Sequence, residues 1–217
     1  MKTASIVLLL AALPAAAQEY QVANSYIMQN LSVENGHFRA NSVSFRGNLC
    51  DVEGKIVNNE FRDGEGCVVR FKFDAKGVSV GIDDSARQAC QNYCGMNAYF
   101  DGDYVKLPAA CTDKAQQQTE QRFQAAYRSK QFGRAVQIRQ QQLAQCEPFL
   151  YYTSLMRVRN DLAVAHKNNG NKAACRQALQ PLAAEINGSS DFEPAYIMKE
   201  DYDRELKHAR FNWGACR

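Results

Sequence analysis

The sequence predicts an α+β protein, with a small antiparallel β sandwich or barrel followed by a bundle of about five α-helices. Three observations predict it. Short strand-like segments recur at roughly ten-residue intervals in the first half, the second half has helical periodicity, and eight cysteines follow an export signal in a chain of 217 residues. The expected organisation is a signal peptide over 1–17, a Cys-rich β domain over 18–112 and a helical domain over 113–217.

The first 17 residues have the pattern of a signal peptide. Lys2 precedes an apolar run over 6–13, and Pro14-Ala15-Ala16-Ala17 supplies a small-residue cleavage site. The run is far shorter than the ~20 residues that span a bilayer. We therefore expect cleavage near Ala17 and a periplasmic or secreted mature protein without a membrane span.

Alternating apolar residues and turn signals predict the β domain. Asn35-Gly36 is typical of a two-residue hairpin turn. A short helix is expected over 84–94, where Gly95 can cap its carboxyl end. Strands are expected over 25–33, 37–48, 49–57, 67–73 and 78–82, which together indicate an antiparallel meander. A strand or a hairpin is expected over 97–107.

Apolar periodicity and capping residues predict the helices of the second half. Asp113 can cap the first of them, and Pro148 stands where a helix begins. Pro181 is expected to kink or divide the fourth. The predicted helices cover 113–129, 133–145, 149–167, 172–186 and 193–212.

The eight cysteines predict four structural disulfides, because an even count in an oxidising compartment indicates full pairing. The spacing favours a Cys50–Cys67 bridge across a hairpin and a Cys146–Cys175 bridge between helices. Five cysteines precede residue 114, so at least one bridge must join the halves, and Cys216 is the natural candidate. The cysteines are Cys50, Cys67, Cys90, Cys94, Cys111, Cys146, Cys175 and Cys216.

Charge divides unevenly between the two halves. Residues 18–113 hold 9 Lys and Arg against 13 Asp and Glu, whereas residues 114–217 hold 16 against 10. A basic face on the first two helices is therefore a candidate surface for an acidic protein or an anionic envelope polymer; the alternative is an ordinary solvated helix face. Its residues are Arg122, Arg128, Lys130, Arg134 and Arg139. The compartment and the modest net charge disfavour nucleic acid.

No motif of a known catalytic centre is present. The chain has no G-x-S-x-G, no H-E-x-x-H and no Gly-rich loop after a strand. The three histidines are dispersed and there is no C-x-x-C, which disfavours a metal site. Cys90 and Cys94 stand toward the end of their helix, where the helix dipole disfavours a thiolate. The sequence therefore predicts no catalytic residue, cofactor or metal.

Two patterns in the sequence resemble those of known kinds of protein. The spacing Cys90-x3-Cys94-Gly95-x2-Ala98-x-Phe100-x-Gly102-x-Tyr104 resembles that of exported bacterial proteins, themselves poorly characterised, which join a Cys-rich β domain to a helical tail. The helix junctions at 130–135 and 169–175 resemble those of tetratricopeptide-type helical hairpins. The two junctions are farther apart, however, than the roughly 34 residues of that repeat. An ordinary helical bundle is the alternative. The resemblance implies compartment and architecture and no activity.

The sequence leaves three classes of function. The first is a non-enzymatic binding protein of the cell envelope, such as an inhibitor, an immunity-type protein or an adaptor, because a rigid disulfide-bonded surface lowers the ordering cost of binding. The second is an enzyme or binding module that acts on peptidoglycan or another envelope polymer. The third is an assembly factor of an envelope complex. We take the first as the prediction and the second as its main alternative.

Overall fold

The computed structural model of the protein describes residues 17–44 and 46–217. Of the expected signal peptide, only Ala17 lies within the described residues. An antiparallel sheet is followed by helices, which confirms the α+β prediction. Buried apolar side chains form two clusters, one inside the sheet and one among the helices.

Eight antiparallel strands form one sheet in the order β4-β3-β2-β1-β8-β7-β6-β5. Its inner and outer faces alternate along each strand, as in β3, where the side chains at 38, 40 and 42 are buried and those between them are exposed. The Asn35-Gly36 turn joins β2 to β3 with positive φ at both residues. The strands are β1 (Gln18–Gln21), β2 (Met28–Glu34), β3 (His37–Val43), β4 (Leu49–Lys55), β5 (Glu60–Arg62), β6 (Val68–Phe73), β7 (Gly77–Ile82) and β8 (Gly102–Lys106).

The sheet is a meander rolled into a nearly closed barrel. Every strand pairs with its neighbours in sequence except that β4 does not pair with β5, and β1 pairs in addition with β8, the last strand. A tight turn with mutual hydrogen bonds between Val57 and Glu60 spans this opening. The Phe61 ring of β5 covers the backbone of Gly54 in β4, so that the two edges touch through this one side chain. Of the predicted alternatives, the barrel describes the sheet better than the sandwich.

The segment between β7 and β8 closes the opening covalently. It contains helix α1 (Arg87–Cys90) between the 3₁₀ turns Asp84–Ala86 and Gln91–Tyr93. Cys90 is bonded to Cys67, just before β6, and Cys94 is bonded to Cys50 on β4. The expected Cys50–Cys67 bridge is therefore wrong. These two residues lie on opposite sides of the opening, and each is tied to the α1 segment instead of to the other.

Six helices follow, one more than predicted. Pro181 lies in a 3₁₀ turn, Gln180–Leu182, which divides the expected fourth helix into α5 and α6. A proline at this position cannot donate the backbone hydrogen bond that a continuous helix needs. The helices are α2 (Asp113–Arg128), α3 (Phe132–Cys146), α4 (Tyr152–Asn168), α5 (Lys172–Leu179), α6 (Ala183–Asn187) and α7 (Lys199–Ala215), with further 3₁₀ turns at Ala109–Cys111, Glu147–Phe149 and Tyr196–Met198.

All eight cysteines are paired, which confirms the count of four disulfides. Cys146 at the end of α3 is bonded to Cys111, and Cys175 in α5 is bonded to Cys216 beyond α7. The expected Cys146–Cys175 bridge is therefore wrong. A bridge joins the two halves, as parity requires, but it involves Cys111 and not Cys216. The disulfides of this half join cysteines at helix ends that lie close together, and Cys216 lies close to Cys175 near the start of α5.

Four disulfides fit an oxidising, extracellular compartment. Within the described part of the chain, no helix has both the length and the apolar character needed to cross a bilayer.

Candidate functional site

The barrel and the helices are fixed to one another by a polar and aromatic junction. Gln21 donates to the carbonyl of Phe149 at 2.9 Å, and the Ser25 hydroxyl donates to the carbonyl of Glu147 at 3.0 Å. The amide of Tyr152 donates to the carbonyl of Ser25 at 2.8 Å. Together with the Cys111–Cys146 bond, these contacts hold the start of the barrel against the α3–α4 connection.

A cleft of about 620 Å³ lies beside this junction. We call it the interdomain cleft. One wall is the outer face of β1, β2 and β3, and the other is formed by α2, α3 and the first turns of α4. The side chains that line it are mostly amides, hydroxyls and carboxylates, including Glu19, Gln21, Asn30, Ser32, Asn41, Asp113, Gln116, Gln117, Glu120, Gln142 and Ser154.

Arg139 lies at the inner end of the cleft and is fully buried. Its guanidinium is 2.5 Å from Glu120 of α2 and 2.5 Å from Asp161 of α4, and it also donates to Gln142 at 2.7 Å. The guanidinium carbon stands 4.0 Å from the centre of the Phe123 ring. One arginine of α3 therefore joins three helices through charge-assisted hydrogen bonds.

The two carboxyls that share Arg139 differ in acidity. Burial raises the pKa of Asp161 to about 6 in spite of the neighbouring guanidinium, and the charge of Glu120 adds to the rise. Burial also raises the pKa of Glu120, but hydrogen bonds from Arg139 and Gln124 outweigh it and leave that pKa below its ordinary value. The network thus contains one carboxyl, that of Asp161, whose pKa is raised to about 6, and one, that of Glu120, whose pKa is lowered.

The burial of Arg139 corrects the predicted basic face. It follows the apolar period of α3 together with Ala135, Val136 and Leu143 and belongs to the core. Arg122 is exposed, but its side chain borders a groove between α2 and α3. The other three predicted residues, Arg128, Lys130 and Arg134, are exposed around the α2–α3 turn.

Two turns meet at this end of the helical half. Asn168 at the end of α4 donates to the Tyr127 hydroxyl of α2 at 2.7 Å, across 41 residues of sequence. Gly133 faces the side chain of Asn169, 3.7 Å from the position of a Cβ. The α4–α5 turn adds further cations beside the α2–α3 turn. We call this cluster the basic tip: Arg128, Lys130, Arg134, Lys167 and Lys172.

A groove of about 370 Å³ lies between α2, α4 and α7, and Tyr127 lies between it and the basic tip. We call it the helical groove. Tyr127 and Val164 give it an apolar surface, and Phe211 of α7 borders it with 72% of its area exposed. Asn160 and Glu205 form its polar base, where the Asn160 amide donates to the Glu205 carboxylate at 3.1 Å.

Sequence reasoning missed both the interdomain cleft and the helical groove, although signals for the cleft exist. Asp113, Gln116, Gln117 and Glu120 have the i, i+3, i+4, i+7 spacing that places polar residues on one helix face. The outward positions of β2 and β3 are polar at alternate residues. The sequence does not show, however, which face of which helix packs against which face of the sheet.

Two acidic residues next to strands of the barrel, Asp83 and Asp101, have structural partners. Asp83 is paired with Arg70 at 2.7 Å, and Asp101 is paired with Arg87 at 3.3 Å. In residues 17–44 and 46–217, no group of three His, Cys, Asp or Glu side chains has a metal-binding arrangement. These acids form surface ion pairs, which contribute about 0–1 kcal/mol each.

Comparison with known proteins yields no match to a family model, to a curated protein or to a solved structure.

Proposed function

We propose that this chain is an exported, non-enzymatic binding protein of the cell envelope that acts through protein–protein contact. Its partner is a secreted or envelope protein with an acidic, extended segment that carries a large apolar side chain. The basic tip meets the acidic residues, and the helical groove receives the apolar one. An inhibitor, an immunity-type protein or an adaptor would work in this way.

The single observation that carries the proposal is the contact between the two turns, Tyr127 to Asn168, because it collects cations from two separate hairpins. Between residues 121 and 160 the chain has one acidic residue, Glu147, which is hydrogen-bonded to Arg159. The basic tip is thus a local excess of positive charge next to a groove. Such an excess steers an acidic partner and raises its rate of association.

The helical groove supplies the apolar part of the proposed contact. Aromatic residues and arginine carry much of the binding energy in protein interfaces, and an aromatic ring as exposed as Phe211 has little packing to lose when a partner covers it. The Cys175–Cys216 bond ties the end of α7 to α5 and so fixes one wall of the groove. A fixed wall lowers the entropy cost of binding.

The offset between helices supports the proposal of a peptide-binding surface formed by stacked helical hairpins. Tyr127 and Asn168 are 41 residues apart, and Glu120 and Asp161, which share Arg139, have the same separation. Helices α2 and α4 therefore run in the same direction at a constant offset. Stacked hairpins of this kind form an inner surface that suits an extended peptide.

Affinity capture tests this proposal. The mature, oxidised protein is immobilised and exposed to the envelope fraction, and a retained protein is then purified and titrated back by calorimetry. We expect one stoichiometric partner that is released by salt. The triple variant R128E/K130E/R134E should weaken its binding at least tenfold.

The matched control is K72E/K76E/K106E, which makes the same change in net charge on exposed residues of the barrel. It should bind like the wild-type protein. Equal weakening by both variants would show that only net charge matters. Absence of any protein partner, with a folded bait, would overturn the proposal.

A further inference from the structure

The interdomain cleft has a rigid frame. The Cys111–Cys146 bond lies at its inner edge, and the hydrogen bonds from Gln21 and Ser25 to the α3–α4 connection fix its two walls relative to each other. Its volume of about 620 Å³ is within the range of roughly 300–1,000 Å³ for small-molecule sites. Part of the cost of arranging polar groups around a ligand is thus already met by the fold.

The sheet wall presents two rows of polar side chains. The strand register places Gln21, Asn30 and Asn41 side by side across β1, β2 and β3, and it places Glu19 beside Ser32 in the next row. Paired residues of neighbouring strands stand on the same face of a sheet. Asn30 donates to Asn41 at 3.2 Å, and both side chains remain exposed. The wall therefore offers amide donors and acceptors at the spacing of a β-sheet.

The helix wall repeats this chemistry. Gln117 of α2 is exposed and has no side-chain hydrogen bond within the described residues. Asp113 lies one turn before it on the same helix face, and Ser154 adds a hydroxyl from α4. Tyr151 is half buried and lines the cleft beside these groups. A tyrosine at such a place offers an apolar ring together with a polar tip.

The charges of the lining restrict the ligand. The positive charge of Arg139 is already compensated by Glu120 and Asp161. Among the other charged side chains of the lining there are two carboxylates, Glu19 and Asp113, and one cation, Arg157. An anionic ligand would meet an excess of carboxylate, and an apolar ligand would leave the amides without partners. The lining suits a neutral molecule with many hydroxyl or amide groups at short intervals and with small apolar faces.

We propose that the interdomain cleft binds a segment of an uncharged oligosaccharide chain. Amide and carboxylate groups of Asn30, Asn41, Gln117 and Asp113 would exchange hydrogen bonds with its hydroxyl groups, and Tyr151 would contact the apolar face of a sugar ring. This site favours the second class that the sequence left open, as a binding module and without bond cleavage. It does not depend on the protein-binding proposal, because the helical groove and the basic tip are other surfaces.

Calorimetric titration of the mature, disulfide-bonded protein tests the proposal. The probes are uncharged hexasaccharides of glucose and of N-acetylglucosamine, with an oligomer of galacturonic acid as the anionic comparison. We expect saturable binding of at least one uncharged probe and none of the anionic one. N30A/N41A on the sheet wall and Q117A on the helix wall should each weaken binding at least fivefold.

The matched control is Gln137→Ala, an exposed glutamine of α3 outside the cleft. It should bind like the wild-type protein, and so should R128E/K130E/R134E, which separates this site from the protein-binding surface. The substituted side chains are exposed, so that melting temperatures should stay close to that of the wild-type protein. The proposal is overturned if no uncharged probe binds, if only the anionic probe binds, or if both cleft variants bind as tightly as Gln137→Ala.

Discussion

Phe61 and Gly54 face each other across the opening of the barrel, and a Cβ added at Gly54 would lie 2.2 Å from the Phe61 ring. The two residues belong to β5 and β4, the edge strands that share no ladder of hydrogen bonds. Phe61 also packs edge-on against Phe38 at 5.2 Å between ring centres. The barrel is therefore closed at this point by the fit of one ring over one glycine.

Gly54→Ala should destabilise the protein by about 1–3 kcal/mol, since the added methyl group must displace a packed ring. Gly81→Ala is the matched control, because it also lies in a strand and a Cβ there meets no atom within 4 Å. Urea unfolding at a fixed pH measures both. If Gly54→Ala is no less stable than Gly81→Ala, the ring can move and the contact does not close the barrel.

The closure of the barrel shows where the sequence stops being informative. β1 has four residues and β5 has three, too few to reveal a period of two. The pairing of β1 with β8 depends in addition on the sheet rolling until these two strands meet, which is a property of the whole meander. The longer strands were predictable because alternation and turn residues such as Asn35-Gly36 are local.

Arg139 shows the opposite case, in which a usable signal was present. It lies on the same face of α3 as Ala135 and Leu143, so its apolar period already indicated burial. A charged residue can occupy a core only with charged partners, and these come from α2 and α4. Because they are distant in sequence, the partners Glu120 and Asp161 could not be assigned before the helices were placed.

Arg139→Met should cost about 3–5 kcal/mol in the free energy of unfolding, because it leaves two carboxyls near one another without their shared cation. Arg134→Met on the exposed side of the same helix should change stability by at most about 0.5 kcal/mol. Denaturant unfolding monitored by the helical circular dichroism signal compares them. Similar losses in the two variants would contradict a central role for the buried network.

The disulfide pattern should appear in a proteolytic digest made without reduction. We expect linked peptides for Cys50 with Cys94, Cys67 with Cys90, Cys111 with Cys146 and Cys175 with Cys216. The same digest after reduction is the control, and the linked masses should then disappear. A Cys50–Cys67 peptide would contradict the way in which the α1 segment closes the barrel.

C111A/C146A should lower stability by about 2–5 kcal/mol, as is typical when a native bridge is removed from a small disulfide-bonded domain. The bond joins the barrel end to α3, so its loss should also raise hydrogen exchange along the walls of the interdomain cleft. The barrel core around Phe38 should keep its protection, because its own two bridges remain. Uniform exchange over the whole chain would mean that this bond stabilises the protein without fixing the cleft.

Because of Asp161, the free energy of unfolding should depend on pH between about 4 and 7. Its pKa is raised to about 6 from an ordinary 3.8 by burial, so the native state holds this proton more tightly than the unfolded chain does. The stability that this provides is complete below pH 3.8 and is lost as the pH rises through 6. At about 1.4 kcal/mol for each pKa unit, the rise from 3.8 to about 6 corresponds to a loss on the order of 3 kcal/mol.

Asp161→Asn removes this titration, so its stability relative to the wild-type protein should increase as the pH rises from 4 to 7. Urea unfolding at half-unit steps of pH measures the difference. Asp203→Asn, at an exposed acid of α7 that pairs with Lys199, serves as the control and should show no such trend. The pKa of Glu120 is lowered instead, so the stability that Glu120 contributes increases as the pH rises, and it does so mainly below this pH window. A difference between Asp161→Asn and the wild-type protein that stays constant with pH would show that the Asp161 carboxylate is as well stabilised in the fold as in water.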